Sequence, residues 1–297
     1  MVAAATFLPF WTWSIFGLLL IFAGWFFLRE KRVVQVLSLL WLTAAVFVSD
    51  DLSRFVFSAG QSPPSSLQTG ERGPIRIVTL NCAGHAAAAA EIVREKPEIV
   101  FLQESPPEQS VSELARTLFG SEGRYLYGLD CSLIARGSIA PLPSPEGNHF
   151  LRAKITLLGG PTIEVTNLRL NPPEIRLDLW SPACWKAHQQ DRAQRREHLQ
   201  NLLTQPDWNN PDILRIVAGD FNVPAGDGIL RLLKPHLRDA FREAGIGWGN
   251  SAISGLPVAR PDQIWISRSL RPLAVWSKPS TFSDHLMILC DVEADPE

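Results

Sequence analysis

Two long apolar stretches open the chain, and shorter apolar runs separated by polar residues follow them. Residues 7–28 and 33–49 contain no charged side chain. Because about 20 apolar residues cross a bilayer as a helix, residues 7–28 are predicted to span a membrane, and residues 33–49 are a shorter second candidate. Three positive charges lie between them, in the segment Arg29–Arg32. The positive-inside rule then predicts that this connection is cytoplasmic and that both ends of the pair face outward.

The first apolar stretch has an alternative interpretation as a secretory signal peptide. No positive residue precedes it and no small-residue cleavage site follows it, so a membrane anchor is preferred. Residues 1–52 are therefore predicted to form an anchor with two transmembrane helices. Residues 53–73 are predicted to be a flexible Pro/Ser-rich tether, and residues 74–297 a domain on the extracytoplasmic side of the cell membrane.

Several apolar runs of this domain end in a polar residue, as expected of buried strands that deliver side chains to the rim of a sheet. Ile75–Leu80 reaches Asn81, and Ile99–Leu102 reaches Glu104 after one glutamine. An alanine-rich segment between the two runs favours a helix. Two strands separated by a helix are therefore predicted to place Asn81 and Glu104 at strand ends.

The run Leu214–Gly219 ends at Asp220, and Asn222 follows two positions later. Residues two apart in an extended segment project to the same face, so this acid and this amide are predicted to point to one place. An Asx turn that only closes the strand is the alternative for the two residues taken alone. Further strand candidates carry a polar residue near one end: Asn167, Asp262 and His285. Short strands interspersed with helices indicate a layered α/β or α+β domain.

Composition narrows the functional class only slightly. The net charge is −2 and the isoelectric point is about 6.3, which argues against tight nonspecific binding of nucleic acid but leaves a local basic groove open. Four cysteines form neither a paired metal motif nor a dense disulfide framework, and they are predicted to be small buried core residues: Cys82, Cys131, Cys184 and Cys290.

The polar residues at predicted strand ends are mostly oxygen donors, with a single imidazole: Asn81, Glu104, Asn167, Asp220, Asn222, Asp262, Asp284 and His285. Carboxylate and amide oxygens with little imidazole suit Mg²⁺, Mn²⁺ or Ca²⁺ better than Zn²⁺. Magnesium held by one or two carboxylates binds waters and phosphate oxygens at its other positions. The implied substrate class is a phosphate ester.

These residues stand in ordered motifs: Thr79–Asn81, Leu102–Glu104, Gly219–Asn222, Asp262–Trp265 and Ser283–His285. In this order, from Gly73 to about Val292, the sequence resembles the endonuclease/exonuclease/phosphatase (DNase I-like) superfamily. The resemblance implies a four-layer α/β sandwich, with two mixed β-sheets packed together and helices outside. It also implies metal-dependent hydrolysis of phosphate esters by a nuclease, phosphodiesterase or phosphatase.

The resemblance assigns a metal role to three residues. Glu104 matches the principal carboxylate for Mg²⁺, with Mn²⁺ as the alternative ion, and Asn81 and Asp284 match residues that help to place the ion and its waters.

The resemblance assigns catalytic roles to four others. Asp220 matches the residue that orients or deprotonates the attacking water, and Asn222 the residue that holds the phosphate or that water. His285 matches the histidine that stabilises the charged phosphorane, and Asp262 the carboxylate that orients this imidazole. An acid beside an imidazole raises the pKa of the imidazole and keeps it protonated near neutrality.

One strand departs from the pattern of many hydrolytic members. Those members have Thr-His-Leu in this strand, whereas this sequence has Thr-Asn-Leu. Asn167 therefore stands at the position of a second catalytic histidine. An amide supplies neither a positive charge nor a proton. Arg169, two residues later on the same face, is a candidate to replace that charge and bind substrate, with a structural arginine as the alternative. An impaired member that binds a phosphorylated ligand or a partner protein without turnover is the competing hypothesis.

The identity of the substrate stays open between nucleic acid and a phospholipid headgroup. The anchor places the site near headgroups, whereas extracellular degradation of DNA needs only a small basic groove. No obligate protein partner is inferred.

Overall fold

The computed structural model describes residues 9–27, 31–64, 73–145, 147, 149–173, 178, 180–205 and 207–294. The α-helices in this part of the chain are α1 (Phe10–Phe27), α2 (Lys31–Val48), α3 (Asp50–Phe57), α4 (Ala86–Glu91), α5 (Glu108–Phe119), α6 (Pro182–Leu203) and α7 (Ala240–Ala244). The strands are β1 (Ile75–Asn81), β2 (Ile99–Gln103), β3 (Gly123–Leu126), β4 (Cys131–Pro141), β5 (Phe150–Leu157), β6 (Thr162–Arg169), β7 (Arg215–Asp220), β8 (Leu237–Asp239), β9 (Asp262–Ser267), β10 (Leu270–Lys278) and β11 (Met287–Ala294).

The strands form one mixed sheet that folds back on itself. Its order is β10-β11-β1-β2-β4-β5-β6-β7-β9-β8, and β3 pairs with β4 outside this path. The reversal lies within β4, because residues 131–135 pair with β2 whereas residues 137–141 pair with β5. Gly137, at this reversal, has a φ of 132°, and a Cβ there would lie 2.2 Å from the Thr156 carbonyl oxygen. Only glycine fits this close approach of two backbones.

Hydrophobic clusters hold the two halves of the sheet together and attach the helices. The cluster between the halves joins Ile77 and Phe101 of one half to Ile155 and Ile216 of the other. A second cluster joins the outer face of the first half to α4 and α5, and a third joins the outer face of the second half to α6. The strands β1, β2, β7 and β9 are buried along their whole length, as expected of strands covered on both faces.

The predicted α/β class, with mixed strands and helices outside, is confirmed. The strands make one hydrogen-bonded sheet with two facing halves, and not two separate sheets, because β4 belongs to both halves. All four cysteines are buried, as predicted, and no disulfide links them.

The first two helices pack against each other as a hairpin, in which Trp41 Nε1 donates to the Ser14 carbonyl oxygen at 2.9 Å. Many of their large apolar side chains are exposed, among them Leu20, Phe26 and Leu39. Within the described residues, α2 is the one helix long and apolar enough to cross a membrane, and the apolar stretch of α1 is shorter. Helix length and apolar composition therefore support the predicted span 33–49. The predicted span 7–28 extends at both ends beyond the described residues.

The third helix packs the base of this hairpin onto the rest of the chain. Arg54 of α3 donates from Nε to the Arg242 carbonyl oxygen at 2.9 Å, and Ser58 Oγ accepts from Gly247 N at 2.7 Å. Residues 53–57, which the sequence assigned to the start of the tether, are therefore helical and docked. Residues 65–72 of the predicted tether lie outside the described part of the chain.

Arg260 is a buried cation that connects α3 to the sheet. Its Nε lies 3.1 Å from Asp51 Oδ1, its Nη2 lies 2.7 Å from Asp239 Oδ2, and its guanidinium lies over the Phe241 ring at 4.7 Å. Burial raises the pKa of Asp51, although the positive charge of Arg260 lowers it. Charges buried in this way are tolerated only while every partner is present.

Replacement of Arg260 by alanine is expected to lower the free energy of unfolding by about 3–5 kcal/mol, because Asp51 and Asp239 would stay buried without their cation. Urea unfolding of the full chain in detergent, followed by tryptophan fluorescence, measures this loss. Arg271→Ala is the matched control, since its ion pair with Glu293 lies on the surface and contributes about 1 kcal/mol or less. Equal losses in the two variants would contradict a special role for the buried network.

Candidate active site

The carboxyl ends of two parallel strand pairs meet at one edge of the curled sheet. Asn81 lies opposite Gln103 in the β1–β2 pair, and Arg169 lies opposite Asp220 in the β6–β7 pair. Asn81 Nδ2 joins the two pairs, because it donates to Glu104 Oε1 at 3.0 Å and to Asp220 Oδ2 at 3.2 Å. Three residues that the sequence predicted at separate strand ends are therefore in direct contact.

Asp220 is buried at the end of β7 and is held by its neighbours. Asn222 donates from its backbone N to Asp220 Oδ1 at 2.9 Å and from Nδ2 to Asp220 Oδ2 at 3.0 Å. The first of these bonds is that of an Asx turn, so the alternative weighed for this segment occurs together with the cluster. Gly219 has a φ of 140°, and a Cβ there would lie 2.0 Å from the Leu168 carbonyl oxygen. The turn that positions Asp220 therefore requires glycine before it.

Glu104 lies at the more open side of the cluster. Its side chain is 36% exposed, and its Oε1 accepts from Arg169 Nη2 at 2.8 Å. Arg169 also contacts Asp130 at 3.3 Å. Burial would lower the pKa of Arg169, but the charges of Asp130 and Glu104 raise it, so the guanidinium stays protonated. The open side of the cluster thus combines an accessible carboxylate with a permanent cation.

Asp262 and His285 form a charged pair beside Asp220. His285 Nδ1 lies 2.7 Å from Asp262 Oδ2, which also accepts from Ser251 Oγ at 2.5 Å. Burial alone would lower the pKa of His285, but the charge and the hydrogen bond of Asp262, with smaller contributions from Asp220 and Asp284, raise it to about 10. The imidazole is therefore protonated at neutral pH.

Asp220 lies close enough to this pair to be affected by it. One donor atom of each of Asp220, Asp262 and His285 lies within 4.8 Å of the others. Burial and the negative charge of Asp262 raise the pKa of Asp220 to about 6, although His285 and the hydrogen bonds from Asn222 and Asn81 oppose this shift. Near neutral pH the carboxylate is therefore ionised and more basic than an exposed aspartate.

Asn167 is not brought to this cluster. It is fully buried between the halves of the sheet, where its Oδ1 accepts from Gln103 Nε2 at 2.6 Å. Its Nδ2 donates to the carbonyl oxygens of Leu102 and Ser132 at 2.8 and 2.7 Å. Both amide hydrogens are thus used inside the core. The strand continues for two more residues, and the side chain that it delivers to the rim is that of Arg169, so the position of Asn167 does not support its predicted catalytic role.

Asp284 lies on the exposed side of the rim, next to His285. Its backbone carbonyl accepts from Ser254 N at 2.7 Å. Among the described residues, its carboxylate makes no hydrogen bond with Glu104 or Asn81. Only the proximity of Asp284 to the cluster therefore supports its predicted contribution to the metal site.

Two residues of the site were not predicted from the sequence. Asp130, which pairs with Arg169, lies in the turn before β4. The Gly128–Asp130 segment carries turn-forming residues that would have identified a loop there. Ser251, which holds Asp262, lies in a loop without a motif. No signal in the sequence distinguishes this serine from other loop serines.

The donor set fits a hard divalent cation. Glu104 and Asp220 bracket the Asn81 amide, and the partial exposure of Glu104 leaves room for the water ligands that Mg²⁺ keeps. Asp220, Asp262 and His285 form a second group with suitable spacing. A metal-binding imidazole must be neutral, however, whereas His285 is protonated by its pair with Asp262. The chemistry of the donors therefore favours Glu104 as the metal ligand. Asn81 presents its NH2 group to the two carboxylates, and its Oδ1 accepts from Ala83 N at 3.0 Å.

Comparison with known families agrees with this geometry. The profile of the endonuclease/exonuclease/phosphatase family matches residues 78–285. The chain belongs to this family. The matched segment begins before Asn81, ends at His285 and contains Glu104 and Asp220, so the family match and the cluster coincide. A search of curated proteins found no match.

Several solved structures of low sequence identity share the fold. An endonuclease/exonuclease/phosphatase from Beutenbergia cavernae DSM 12333 has a TM-score of 0.59 and 15% identity, over 74% of this chain and 72% of that one. A family protein from Leptotrichia buccalis C-1013-b has a TM-score of 0.53 and 17% identity, over 74% and 99%. TDP2 of D. rerio, complexed with a single-strand DNA product, has a TM-score of 0.53 and 16% identity, over 74% and 99%.

His285 is expected to keep its proton through neutral pH and to lose it near pH 10 in the metal-free protein. Because this folded-state pKa lies above the usual value of about 6.5, the stability that the ion pair contributes is complete below about pH 6.5 and is lost as the pH rises through 10. An NMR titration of the imidazole in the presence of a chelator measures the pKa directly.

The variant Asp262→Asn tests the cause of this shift. Without this carboxylate, which makes the largest contribution that raises it, the pKa of His285 is expected to fall well below 10, although Asp220 and Asp284 still raise it. Asp212→Asn, in the exposed loop at the opposite end of β7, is the matched control and is expected to leave the titration unchanged. A pKa of His285 near the ordinary imidazole value in the wild type would show that the ion pair with Asp262 does not exist in solution.

Proposed function

We propose that this protein is a membrane-anchored, metal-dependent hydrolase of phosphate esters. The observation that carries the proposal is the hydrogen-bonded series Glu104–Asn81–Asp220 beside the charged pair of Asp262 and His285. Membership of the endonuclease/exonuclease/phosphatase family supports hydrolysis of phosphoesters in general. In-line hydrolysis needs a base near water, a positioned phosphate and a cation facing the developing charge, and each has a candidate in this cluster.

Asp220 is the candidate that orients and deprotonates water. A pKa of about 6 leaves it ionised yet basic near neutral pH, and its hydrogen bonds from Asn81 and Asn222 fix the carboxylate. The water oxygen bonds to phosphorus while the bond from phosphorus to one ester oxygen breaks. Asp220 accepts the proton that the water loses and returns it to solvent, and the ester oxygen takes one proton from solvent and leaves as an alcohol, so each ester consumes one water. Asn222, at the same turn, holds the phosphate or the water.

Two cations serve the phosphate. Protonated His285 stabilises the negative charge that develops on the phosphorane, and Asp262 fixes the ring for this purpose. Arg169 binds a phosphate oxygen with its guanidinium, which already pairs with Glu104. Glu104 would hold Mg²⁺ or Mn²⁺, with Asn81 and Asp284 helping to place the ion and its waters, and the ion would supply Lewis-acid polarisation of a phosphoryl oxygen when bound.

The anchoring part of the proposal rests on the α1–α2 hairpin. Its large apolar side chains are exposed, which is unfavourable in water and favourable in hydrocarbon. One of its helices is long and apolar enough to span a membrane. The positive charges of Arg29–Arg32 favour a cytoplasmic connection, so we place the hydrolase domain on the extracytoplasmic side.

The competing hypothesis, a catalytically impaired member that binds a phosphorylated ligand or a partner protein, was motivated by Asn167. The structure gives this hypothesis less support, because Asn167 lies in the core and Arg169 supplies a positive charge at the strand end. The complex of D. rerio TDP2 with single-strand DNA makes nucleic acid a candidate substrate beside a lipid headgroup. The slightly acidic net charge of this chain does not favour nucleic acid.

The variant Glu104→Gln tests the enzyme proposal in the full chain, purified in detergent, with bis(p-nitrophenyl) phosphate as substrate and Mg²⁺ or Mn²⁺ added. Hydrolysis is expected to fall by about a hundredfold or more, and EDTA is expected to abolish it in the wild type, because several kcal/mol of charge stabilisation come from the ion. Glu113→Gln, on the exposed face of α5, is the matched control and is expected to retain full activity.

Turnover that survives both EDTA and Glu104→Gln would remove the metal-dependent mechanism. Calorimetric binding of the diester without product formation would support the competing hypothesis of a binding protein.

Orientation in the membrane has a separate test. The native cysteines are buried, so a single introduced thiol dominates labelling with a membrane-impermeant maleimide. Gln61→Cys, in the exposed segment after α3, is expected to react in intact cells. Lys31→Cys, at the start of α2, is the control and is expected to react only after permeabilisation. The reverse pattern would overturn the extracytoplasmic placement.

A further inference from the structure

A short loop connects the base of the helical hairpin to His285. Trp11 Nε1, in the first turn of α1, donates to the Val258 carbonyl oxygen at 2.9 Å. Val258 N donates to the Ala252 carbonyl oxygen at 2.7 Å, and Ala252 forms an antiparallel bridge with His285. Because hydrogen-bonded neighbouring strands lie about 5 Å apart, His285 lies roughly 10 Å from the segment that contacts α1.

The tip of this loop presents apolar side chains to the surface. Ile253 is 64% exposed and Leu256 is 73% exposed, and the turn between them is closed by a bond from Leu256 N to the Ile253 carbonyl oxygen at 2.9 Å. Phe282, in the neighbouring segment before the Ser283–His285 motif, is 52% exposed. We call Ile253, Leu256 and Phe282 the apolar rim. Ser254 N keeps the loop tip beside the site through its bond to the carbonyl of Asp284.

The loop that carries Ile253 and Leu256 contacts the base of the hairpin through Val258 directly and through Pro257 by way of Trp248. Trp248 packs edge-on against Trp11 and Phe55, with ring centroids 6.1 and 5.9 Å apart. Its Nε1 donates to the Pro257 carbonyl oxygen at 2.8 Å, which fixes the loop to this aromatic group. Tryptophan rings with one polar and one apolar side are typical of the boundary between lipid and water. A hairpin inserted in a bilayer would therefore hold this loop at the membrane surface.

We propose that the apolar rim rests on the bilayer that holds the hairpin, and that the substrate is the phosphate ester of a lipid headgroup in that bilayer. Contact with the acyl boundary removes these side chains from water, which is a gain that a dissolved substrate does not provide. The chemistry at phosphorus is that of the proposed function, on which this inference rests. A nucleic acid would need a basic surface instead, and the two segments that carry the rim, residues 250–259 and 279–284, contain no lysine or arginine.

The test uses the full chain reconstituted in vesicles of equimolar phosphatidylcholine, phosphatidylethanolamine and phosphatidylglycerol, with Mg²⁺. Release of phosphorylated headgroup or lipid alcohol is followed by mass spectrometry, and hydrolysis of bis(p-nitrophenyl) phosphate is measured in the same sample. The double variant Ile253→Asp with Leu256→Asp is expected to lower the ratio of lipid to soluble diester hydrolysis by about tenfold or more.

Leu158→Asp is the matched control. Leu158 is 53% exposed and lies in the turn before β6. Arg169 is at the other end of this strand, so Leu158 is far from the site. It is expected to leave the ratio of the two activities unchanged. An equal loss in the rim variant and in the control would overturn the inference, as would lipid turnover that is slower than turnover of single-strand DNA by the same sample.

A second measurement does not depend on activity. Leu256→Cys and Leu158→Cys, each labelled with an environment-sensitive fluorophore, are compared in the same vesicles. The label at position 256 is expected to shift to the blue and to be quenched by spin-labelled lipid, whereas the label at position 158 is expected to stay in water. An aqueous signal at position 256 would refute the bilayer contact.

The two measurements separate the two proposals. Soluble diester hydrolysis without lipid hydrolysis leaves the proposed function standing and overturns the lipid substrate. Absence of hydrolysis with every substrate overturns the proposed function and the lipid substrate together, and the fluorescence result then still decides whether the rim contacts the bilayer.

Discussion

The site depends on compensation of negative charge at a buried edge of the sheet. Asp220 and Asp262 approach each other closely, and burial favours the neutral form of Asp220. Protonated His285 makes the arrangement stable, because it pairs with Asp262 and faces Asp220 at the same time. The pairing uses Nδ1 of the ring, so Nε2 is the nitrogen that is available to a substrate. The charge that stabilises the folded site is thus the same charge that the proposed reaction uses.

The same constraint operates where the hairpin meets the domain. Arg260 lies two residues before Asp262. Its positive charge compensates two acids, Asp51 of α3 and Asp239 at the start of α7. The segment that carries Asp262 into the site is therefore fixed on one side by α3 and on the other by Ser251 and His285. Docking of the hairpin base and geometry of the site are not independent, because a displacement of α3 would leave buried charges without partners.

Local sequence signals explain which parts of the site were predictable. Apolar runs that end in a polar residue identified Asn81, Glu104 and Asp220, because burial of a strand and exposure of its end are both encoded locally. The two candidates Asn167 and Arg169 lie on the same face of one strand, so alternation could not decide between them. Pairing of β6 with β7, which places Arg169 opposite Asp220, decides it. That register is a tertiary property.

Long-range contacts explain why the docking of α3 could not be predicted from the sequence. The α3 helix directly follows an apolar stretch and precedes a segment of loop composition, so no local pattern marks its acids as partners of a distant cation. Asp51 finds its partner Arg260 more than two hundred positions away. Ser251 and the loop from Ala252 to Ala259 likewise depend on contacts with Asp262 and His285. Nothing in the composition of these segments indicates such partners.

Backbone conformation supports the same location for the chemistry. Glu104 and Asn222 have φ values of 42° and 50°, a region that costs side-chain-bearing residues on the order of 1 kcal/mol or more. Such conformations persist only where surrounding contacts determine them. The Glu104 carbonyl accepts from Gly84 N at 2.9 Å, and the Asn222 amide donates to the Leu170 carbonyl oxygen at 2.7 Å. The fold thus holds two residues of the site, an acid and an amide, in left-handed backbone at the same edge of the sheet.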